Sequence, residues 1–307
     1  MAKNNNNVPA GRRKGMKLGT RNTLVGLSFI APNFIGFFIF ILIPVAFSFV
    51  LSFMKWDGFT EMTFVGLDNF VKIFKDQYFV QALGRTLYYA VFAVTLTTFA
   101  ALGLAVLVNK GIKAVGFFRS SIFFPYVAST VAVGAVWRQL FMKDYGPINA
   151  FLQLIGIENP PGWLASSKWA LPAVIIVTVW KSMGYFMIVY LGALQNIPQE
   201  LEEASALDGA SKFQHFWRIT FPMLAPSTFF VVLMNIINSF KAFDLIWVLT
   251  EGGPGQATTL MVNYIYNNGF NTTTPKYGIA SAAAMVLFAI VAIITIVQFR
   301  VEKRTSN

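Results

Sequence analysis

The pattern of hydrophobic and polar positions divides the chain into long apolar runs separated by shorter polar segments. A helix that crosses a bilayer needs about 20 mostly apolar residues. Six runs meet this requirement, at approximately 24–54, 82–108, 117–141, 171–194, 227–249 and 277–299. Pro32 and Pro44 in the first run predict a kinked or segmented helix. The pattern therefore predicts an all-α membrane protein with six transmembrane helices.

The segment before the first run is polar and basic, and we predict that residues 1–23 form a cytoplasmic tail at the negatively charged membrane face. A signal peptide is the alternative, because a basic segment there precedes an apolar run. That run continues too far, however, and no small-residue cleavage site closes it. The predicted organisation is this tail, a transmembrane domain over residues 24–302, and a second cytoplasmic tail over residues 303–307.

Composition supports the membrane assignment and limits the chemistry. The chain is 56% hydrophobic and only 12% charged, whereas soluble domains carry about 25% charged residues. The absence of cysteine excludes disulfides, thiol catalysis and cysteine-based metal sites. A net charge of +11 would suggest nucleic acid in a soluble protein. Here the basic residues flank apolar runs, which indicates membrane orientation instead, with no nucleic-acid partner.

The basic residues also predict the orientation. If both termini are cytoplasmic, fourteen lysines and arginines lie on the cytoplasmic side and six on the other, which satisfies the positive-inside rule. The six are Lys55, Lys72, Lys75, Lys143, Lys168 and Lys276. Loops 55–81, 143–170 and 250–276 are then external. Their aromatic and turn residues either anchor the chain at the interface or contact an extracytoplasmic partner.

The loop at residues 195–226 differs in character, because it is charged and lies between two apolar runs. Pro198 suits the first position of a short helix, and Asp208-Gly209 predicts a turn that closes it. Ser211 and Gln214 form a capping box for a second helix. Pro222 and Pro226 are expected to break this helix before the next run. The single histidine, His215, is predicted to be a surface residue.

The residue order in this loop resembles a known signature. Glu203-Ala204-Ser205, then Gly209, Ile219 and Pro222, resemble the EAA signature of membrane subunits in binding-protein-dependent ABC importers. Ser205 and Phe221 replace an alanine and a leucine of that signature. The surrounding sequence, from Ile197 to Ala210, is similar to importers of the maltose, multiple-sugar and glycerol-3-phosphate type.

This resemblance implies a type I importer permease in a bacterial cytoplasmic membrane. Its expected partners are a second permease subunit that forms a heterodimer, a pair of ABC ATPase subunits and an extracytoplasmic solute-binding protein. The 195–226 loop would be a cytoplasmic coupling helix that docks on the ATPase. Its expected contact residues are Glu203, Ala204, Ser205, Asp208, Gly209, Ile219 and Pro222.

The sequence contains no candidate catalytic residues. It has no Gly-rich phosphate loop and no Ser/His/Asp arrangement, and Lys14-Gly15 lacks the surrounding pattern of a phosphate-binding loop. We therefore expect that this chain is not an enzyme and holds no metal or cofactor. ATP would be bound by the partner subunit.

Polar residues within the fourth and fifth apolar runs are candidates for binding the solute, because such residues are costly in a membrane and often mark a pathway. They are Thr178, Lys181, Ser182, Tyr185, Asn235, Asn238, Ser239, Lys241 and Asp244. Lys241 and Asp244 are three residues apart and are predicted to neutralise each other on one helix. The alternative is that these groups only hold helices together.

The resemblance supports the same two helices, since maltose-type permeases bind substrate between them. It implies a sugar-contacting aromatic at Tyr185 and a small residue at Ser182, and it aligns Ser239 and Ala242 with two amide positions. Ser239 is shorter than an amide side chain, and Ala242 cannot form a side-chain hydrogen bond. The resemblance therefore implies a saccharide, expected to be an oligosaccharide, that need not be maltose. Glycerol 3-phosphate is the alternative, with its phosphate at Lys181 or Lys241. An ion-coupled transporter and a membrane assembly protein are the remaining alternatives.

Overall fold

The computed structural model describes residues 18–109 and 114–305. Most of the predicted basic tail, up to Lys17, lies outside these ranges, as do Lys110 and Lys113 and the last two residues. Contacts divide the chain into two compact units, Met1–Val50 and Leu51–Asn307.

The described elements follow one another along the chain and are almost entirely helical. They are α1 (Leu18–Phe37), a π-helical turn (Phe38–Leu42), α2 (Ile43–Leu51), β1 (Met54–Lys55), β2 (Thr63–Phe64), α3 (Asp68–Lys75), α4 (Gln77–Asn109), α5 (Val115–Val127), α6 (Thr130–Leu140) and α7 (Pro147–Leu154). The chain continues with α8 (Ala170–Gln195), α9 (Gln199–Leu207), α10 (Lys212–His215), a second π-helical turn (Phe216–Thr220), α11 (Phe221–Met223), α12 (Ala225–Phe240), α13 (Asp244–Thr250), α14 (Met261–Gly269) and α15 (Tyr277–Thr305).

The number of spans agrees with the sequence pattern. Four helices are long and apolar enough to cross a membrane. Two bent helix pairs raise the number to six if each pair crosses as one broken span. These six segments overlap the six predicted apolar runs, although the second bent pair, from Lys212 to Phe240, begins and ends earlier than the run predicted at 227–249.

The first apolar run is interrupted next to Pro44. This residue has no N–H to continue the helical ladder. The amide of Ile43 instead donates to the carbonyl of Phe38, five residues earlier, which gives the π-helical turn between α1 and α2. The helix is continuous through Pro32. The segmentation predicted near Pro44 is therefore confirmed.

The second unit is built around α4 and α8, which pack against each other. Ala101 and Ala105 of α4 share one buried cluster with Phe186 and Tyr190 of α8. Small residues allow two membrane helices to approach closely. α12 packs against α4, and α14 packs against α15.

α5 crosses α8 at Gly184. A Cβ atom at this position would overlap the backbone carbonyl of Ile122. Any larger residue would force the two helices apart, at a cost of about 1–3 kcal/mol for overpacking. Gly184 therefore fixes the position of α5 on α8.

The third apolar run is not the single continuous helix that its hydrophobicity predicts. α5 and α6 meet at 97°. Ala128 and Ser129 both have extended backbone, with ψ angles of 145° and 129°, and this ends α5 and redirects the chain. The sequence predicted a span over 117–141 but not this break, because apolar composition does not report where a helix turns.

The fifth run also ends earlier than predicted. α12 stops at Phe240, and α13 begins at Asp244 after a break of three residues. Lys241 lies immediately past the end of α12, whereas Asp244 lies in the first turn of α13. The prediction that Lys241 and Asp244 pair on one helix was therefore wrong, because they do not share a helix.

A small hairpin precedes α3. β1 and β2 are antiparallel, with Met54 opposite Phe64. In the connecting turn the Asp57 carboxylate accepts hydrogen bonds from the amides of Thr60 and Phe59 and from the Thr60 hydroxyl, which lowers the pKa of Asp57 to about 2. Buried Asn69 of α3 donates to the carbonyls of Ser52 and Met54 at 2.9 and 2.8 Å. These bonds hold α3 against the hairpin.

Candidate functional site

The loop at 195–226 contains the two predicted short helices joined by a tight turn. α9 ends in a Schellman arrangement, in which the amide of Ala210 donates to the carbonyl of Ser205 and the amide of Gly209 to that of Ala206. Gly209 has φ +73°, a conformation that other residues adopt only with strain. The predicted turn at Asp208-Gly209 is confirmed. Pro198 lies one position earlier than predicted, as the N-cap of α9.

The second helix begins with the predicted capping box. The amide of Gln214 donates to Ser211 Oγ at 3.3 Å, and the Gln214 side chain accepts from the Ser211 amide at 2.8 Å. The segment from α10 to α11 then meets α12 at 66°, next to Pro222 and Pro226. The predicted break before the fifth apolar run is confirmed.

One side-chain contact joins the two short helices. Ser205 Oγ donates to the carbonyl of Glu202 at 2.9 Å and lies 2.7 Å from His215 Nδ1. The tautomer of His215 decides which of the two atoms donates in this hydrogen bond. His215 is half-buried in this contact, so this predicted surface residue also packs within the loop. The bond fixes α10 against α9.

The other residues of the signature lie mainly on the outside of the loop. Glu203, Ala204, Asp208, Gly209 and Pro222 are exposed, Ile219 is half-buried, and Ser205 is buried. The buried side chain of Ser205 points into the loop. In this chain Ser205 therefore joins the loop's own helices.

Sequence reasoning missed two apolar residues on the same loop. Leu207 and Phe213 are 89% and 73% exposed. Large apolar side chains exposed beside charged groups mark interaction surfaces when they cluster. The available signal was the position of Leu207 at the end of a short helix, immediately before the Asp208-Gly209 turn.

Lys181 of α8 lies at the break between α5 and α6. Its ammonium group donates to the carbonyls of Pro125, Tyr126 and Ala128 at 3.3, 3.2 and 3.1 Å. The last carbonyls of a helix have no partner within the helix, and a cation near them is favourable. Lys181 thus stabilises the end of α5. Its predicted contact with a solute stays a prediction.

Lys181→Met is expected to destabilise the protein by about 2 kcal/mol, since hydrogen bonds to charged groups contribute about 1.5–3 kcal/mol. Thermal unfolding of the purified protein in detergent would measure this as a lower melting temperature. Lys75→Met, which alters an exposed lysine of α3, is the matched control. Equal melting temperatures for the two variants would contradict the role given to Lys181.

The remaining α8 candidates also contact neighbouring helices. Tyr185 stacks on Tyr126 with ring centroids 4.6 Å apart and an interplanar angle of 16°. Thr178 donates to the carbonyl of Val174 and lies 3.0 Å from the hydroxyl of Tyr89 in α4. Ser182 is half-buried one turn before Tyr185. The structure thus brings two stacked rings and a hydroxyl to the α5–α8 crossing.

The α12 candidates do not lie on one uniform face. Asn235 and Ser239 are each 6% exposed, whereas Asn238 is exposed. Asn235 Nδ2 has no hydrogen-bond partner among the described residues. Lys241 and Asp244 are both exposed at the break that follows α12. Within residues 18–109 and 114–305, no hydrogen bond joins these groups to the α8 candidates.

Comparison with known proteins decides the family. Residues 93–307 match the family described as the inner membrane component of binding-protein-dependent transport systems. The chain belongs to this family. The permease is 37% identical over 284 residues to the probable ABC transporter permease protein YesP of Bacillus subtilis, with 91% of each chain covered.

Two further relatives carry more specific descriptions. The permease is 34% identical to a trehalose/maltose transport system permease protein of Thermococcus litoralis, covering 94% of this chain and 96% of the relative. It is 33% identical to an sn-glycerol-3-phosphate transport system permease protein of Brucella abortus, covering 92% and 96%.

A solved structure shares the fold. The permease superposes with a TM-score of 0.82 on a chain of a bacterial alginate ABC transporter crystallised with an alginate pentasaccharide-bound periplasmic protein. Identity is 23%, and the match covers 93% of this chain and 96% of the other. The predicted permease fold is confirmed.

Proposed function

We propose that this permease carries a saccharide across the cytoplasmic membrane in an ATP-driven importer whose ATP is hydrolysed by separate subunits. The observation that carries this proposal is the exposed tip of the coupling loop, by which we mean residues 195–226. There Glu203, Leu207 and Asp208 stand exposed around a left-handed glycine. A protruding acidic and apolar tip fits a complementary groove on a partner protein.

The partners in this proposal are a second permease subunit, a pair of ATPase subunits and an extracytoplasmic binding protein. The alginate transporter of similar fold was crystallised with a periplasmic protein, which supports the last of these. The excess of basic residues on one side supports cytoplasmic termini and a cytoplasmic coupling loop. The ATPases would then meet the permease at that loop.

Coupling would pass through a continuous chain of contacts. The Ser205–His215 hydrogen bond joins α9 to α10, and the helical segment from α10 leads through the 66° bend into α12. α12 carries Asn235 and Ser239 and packs on α4. Closure of the ATPases would therefore move α12 and change access to a midplane site, as in other transporters that work by rigid-body rocking.

Several features support a saccharide. Tyr185 stacks on Tyr126, and half-buried Ser182 lies one turn earlier on the same helix as Tyr185. A pyranose offers an apolar face for such rings and hydroxyls at its edge for such a side chain. The Thermococcus litoralis relative is described as a trehalose/maltose permease.

Glycerol 3-phosphate is the second candidate, because the Brucella abortus relative is described as a permease for it. Of the two lysines predicted to meet its phosphate, Lys181 is committed to three carbonyls, whereas Lys241 is exposed at the helix break. Phosphate recognition would therefore depend on Lys241. Loss of phosphate-ester uptake in Lys241→Met, with saccharide uptake unchanged, would identify this substrate.

The test is uptake by the complete complex in proteoliposomes, with ATP inside and the binding protein outside. We expect uptake of a labelled saccharide that stops when either is omitted. Glycerol 3-phosphate is assayed in parallel. Uptake by this chain alone, driven by a proton or sodium gradient and indifferent to ATP, would overturn the proposal.

A further inference from the structure

A polar cavity lies between the hairpin, α3, α14 and the start of α15. Its volume is about 530 Å³, which is within the range of small-molecule sites. Its lining includes Lys55, Lys72 and Lys276, together with Asp57 and Asp76. The lining therefore carries three ammonium groups and two carboxylates, and it is net positive.

The two carboxylates are already engaged within the protein. Asp57 accepts three hydrogen bonds in the hairpin turn. Asp76 accepts from the amide of Tyr78 at 2.9 Å and from the hydroxyl of Tyr264 at 2.6 Å. Both oxygens of Asp76 are thus used.

The three lysines are not engaged. Among the described residues, Lys55, Lys72 and Lys276 have no ion pair or side-chain hydrogen bond, and all three are exposed at the cavity. An ammonium group provides three donors and forms strong charge-assisted bonds with a carboxylate. The three lysines can therefore bind an anionic group in the cavity.

The other lining groups suit a sugar. Thr274 offers a hydroxyl, and Trp56 contributes an indole ring. Thr60 and Asn268 already donate to Asp57 and to the carbonyl of Tyr264, but their oxygens can still accept from a ligand. These hydrogen-bonding groups beside the three lysines match the hydroxyls of a saccharide in addition to its carboxylate.

A row of aromatic rings leads from this cavity to the break after α12. Neighbouring rings have centroids 5.0–6.0 Å apart, in the order Trp56, Tyr277, Phe270, Tyr266 and then Phe243 with Trp247. None of the six rings is buried. Phe243 lies between Lys241 and Asp244, two of the candidate solute-binding residues. The row therefore connects the cavity with the predicted pathway by surfaces on which sugar rings stack.

We propose that this cavity is an entry site for an anionic saccharide that contains uronic acid, with Lys55, Lys72 and Lys276 binding its carboxylate. The inference rests on the proposed function, because it names the class of saccharide that the permease carries. On the predicted orientation the cavity opens to the outside of the cell. A solute released there would reach the aromatic row before the helix break.

The test uses the complete transporter in nanodiscs of zwitterionic phosphatidylcholine, without the binding protein, and measures binding by calorimetry. The probes are digalacturonate and its dimethyl ester, which differ in charge but hardly in size. We expect digalacturonate to bind at least tenfold more tightly than the ester. Lys72→Gln combined with Lys276→Gln is expected to remove this preference, whereas the corresponding double arginine variant keeps it.

Lys75→Gln is the matched control, since Lys75 is an exposed lysine of α3 outside the cavity lining, and its preference should be unchanged. Equal binding of the two probes to the unmodified transporter would overturn the inference. A lipid site would also overturn it. In that case phosphatidylglycerol would co-purify with the unmodified transporter but not with the glutamine variant, and digalacturonate would not bind. Failure of ATP-driven uptake with digalacturonate preference intact would reject the proposed function alone.

Discussion

Glu203→Lys is expected to reduce ATP-dependent uptake about a hundredfold while the permease still inserts in the membrane. Glu203 is exposed on α9 and forms no hydrogen bond or ion pair within the described residues, so its replacement leaves the fold intact. We expect Glu203 to meet a basic group on the ATPase, so a lysine there would create a contact between like charges, which costs several kcal/mol at an interface. A cost of about 2.8 kcal/mol corresponds to a hundredfold change. Uptake in proteoliposomes, normalised to the amount of inserted permease, measures the effect.

The control for this variant reverses a charge elsewhere. Glu158 is also exposed but lies in the loop between α7 and α8, on the predicted external side, so Glu158→Lys should leave uptake close to normal. Glu203→Gln, which keeps the size and removes the charge, should fall between the two. Normal uptake by Glu203→Lys would remove the basis for ATPase contact at this residue.

Leu207→Asp is expected to release the ATPase subunits from the permease. The side chain is 89% exposed, so the substitution has little effect on folding, but it places a charge in the apolar part of the proposed interface. Truncating a hot-spot residue at the centre of an interface costs about 2 kcal/mol or more, and an unpaired charge buried at the same place adds to this cost. We therefore expect at least about a thirtyfold loss of ATPase affinity, since about 1.4 kcal/mol is tenfold. Co-purification at graded ATPase concentrations measures this.

Leu154 provides the matched comparison, because it is 85% exposed in α7, on the predicted external side. Leu154→Asp should retain the ATPase and reduce neither association nor ATP hydrolysis by the assembled complex. If both leucine variants bound the ATPase as tightly as the unmodified permease, Leu207 would have no part in docking.

The coupling loop could be predicted from sequence because its determinants are local. The glycine at 209, the capping box at 211–214 and the prolines at 222 and 226 each dictate the conformation of their own neighbourhood. The structure contains each of these features. The contact between Ser205 and His215 could not be predicted in this way, because it depends on how the Schellman turn folds α10 back on α9.

The six spans could also be predicted, since length and hydrophobicity suffice for that purpose. The breaks within two of them could not. The α5–α6 corner depends on Lys181, 53 residues from Ala128 in sequence, which binds the carbonyls freed at the corner. At this corner Lys181 donates hydrogen bonds to backbone carbonyls, and its position in an apolar run does not predict that contact. Lys241 and Asp244 were separated by a similar break after Phe240.

The candidate solute-binding residues were the hardest to predict from sequence, because a binding site requires groups from several helices. Tyr185 meets Tyr126 across two helices that a single-helix pattern treats separately. Asn235 and Ser239 share the buried side of α12, whereas Asn238 does not. Helical spacing predicted all three residues on one stripe of the helix, and this was wrong for Asn238, which lies on the exposed side.

The most direct test of the account is the accessibility of the coupling loop from each side of the membrane. The chain has no native cysteine, so Leu207→Cys and Tyr145→Cys each introduce a single reactive thiol. A membrane-impermeant maleimide should label Cys at 207 only in inside-out vesicles, and bound ATPase should block it. Cys at 145, in the exposed segment before α7, should be labelled only in right-side-out cells. Labelling of position 207 from outside the cell, or labelling unaffected by the ATPase, would contradict the central claim.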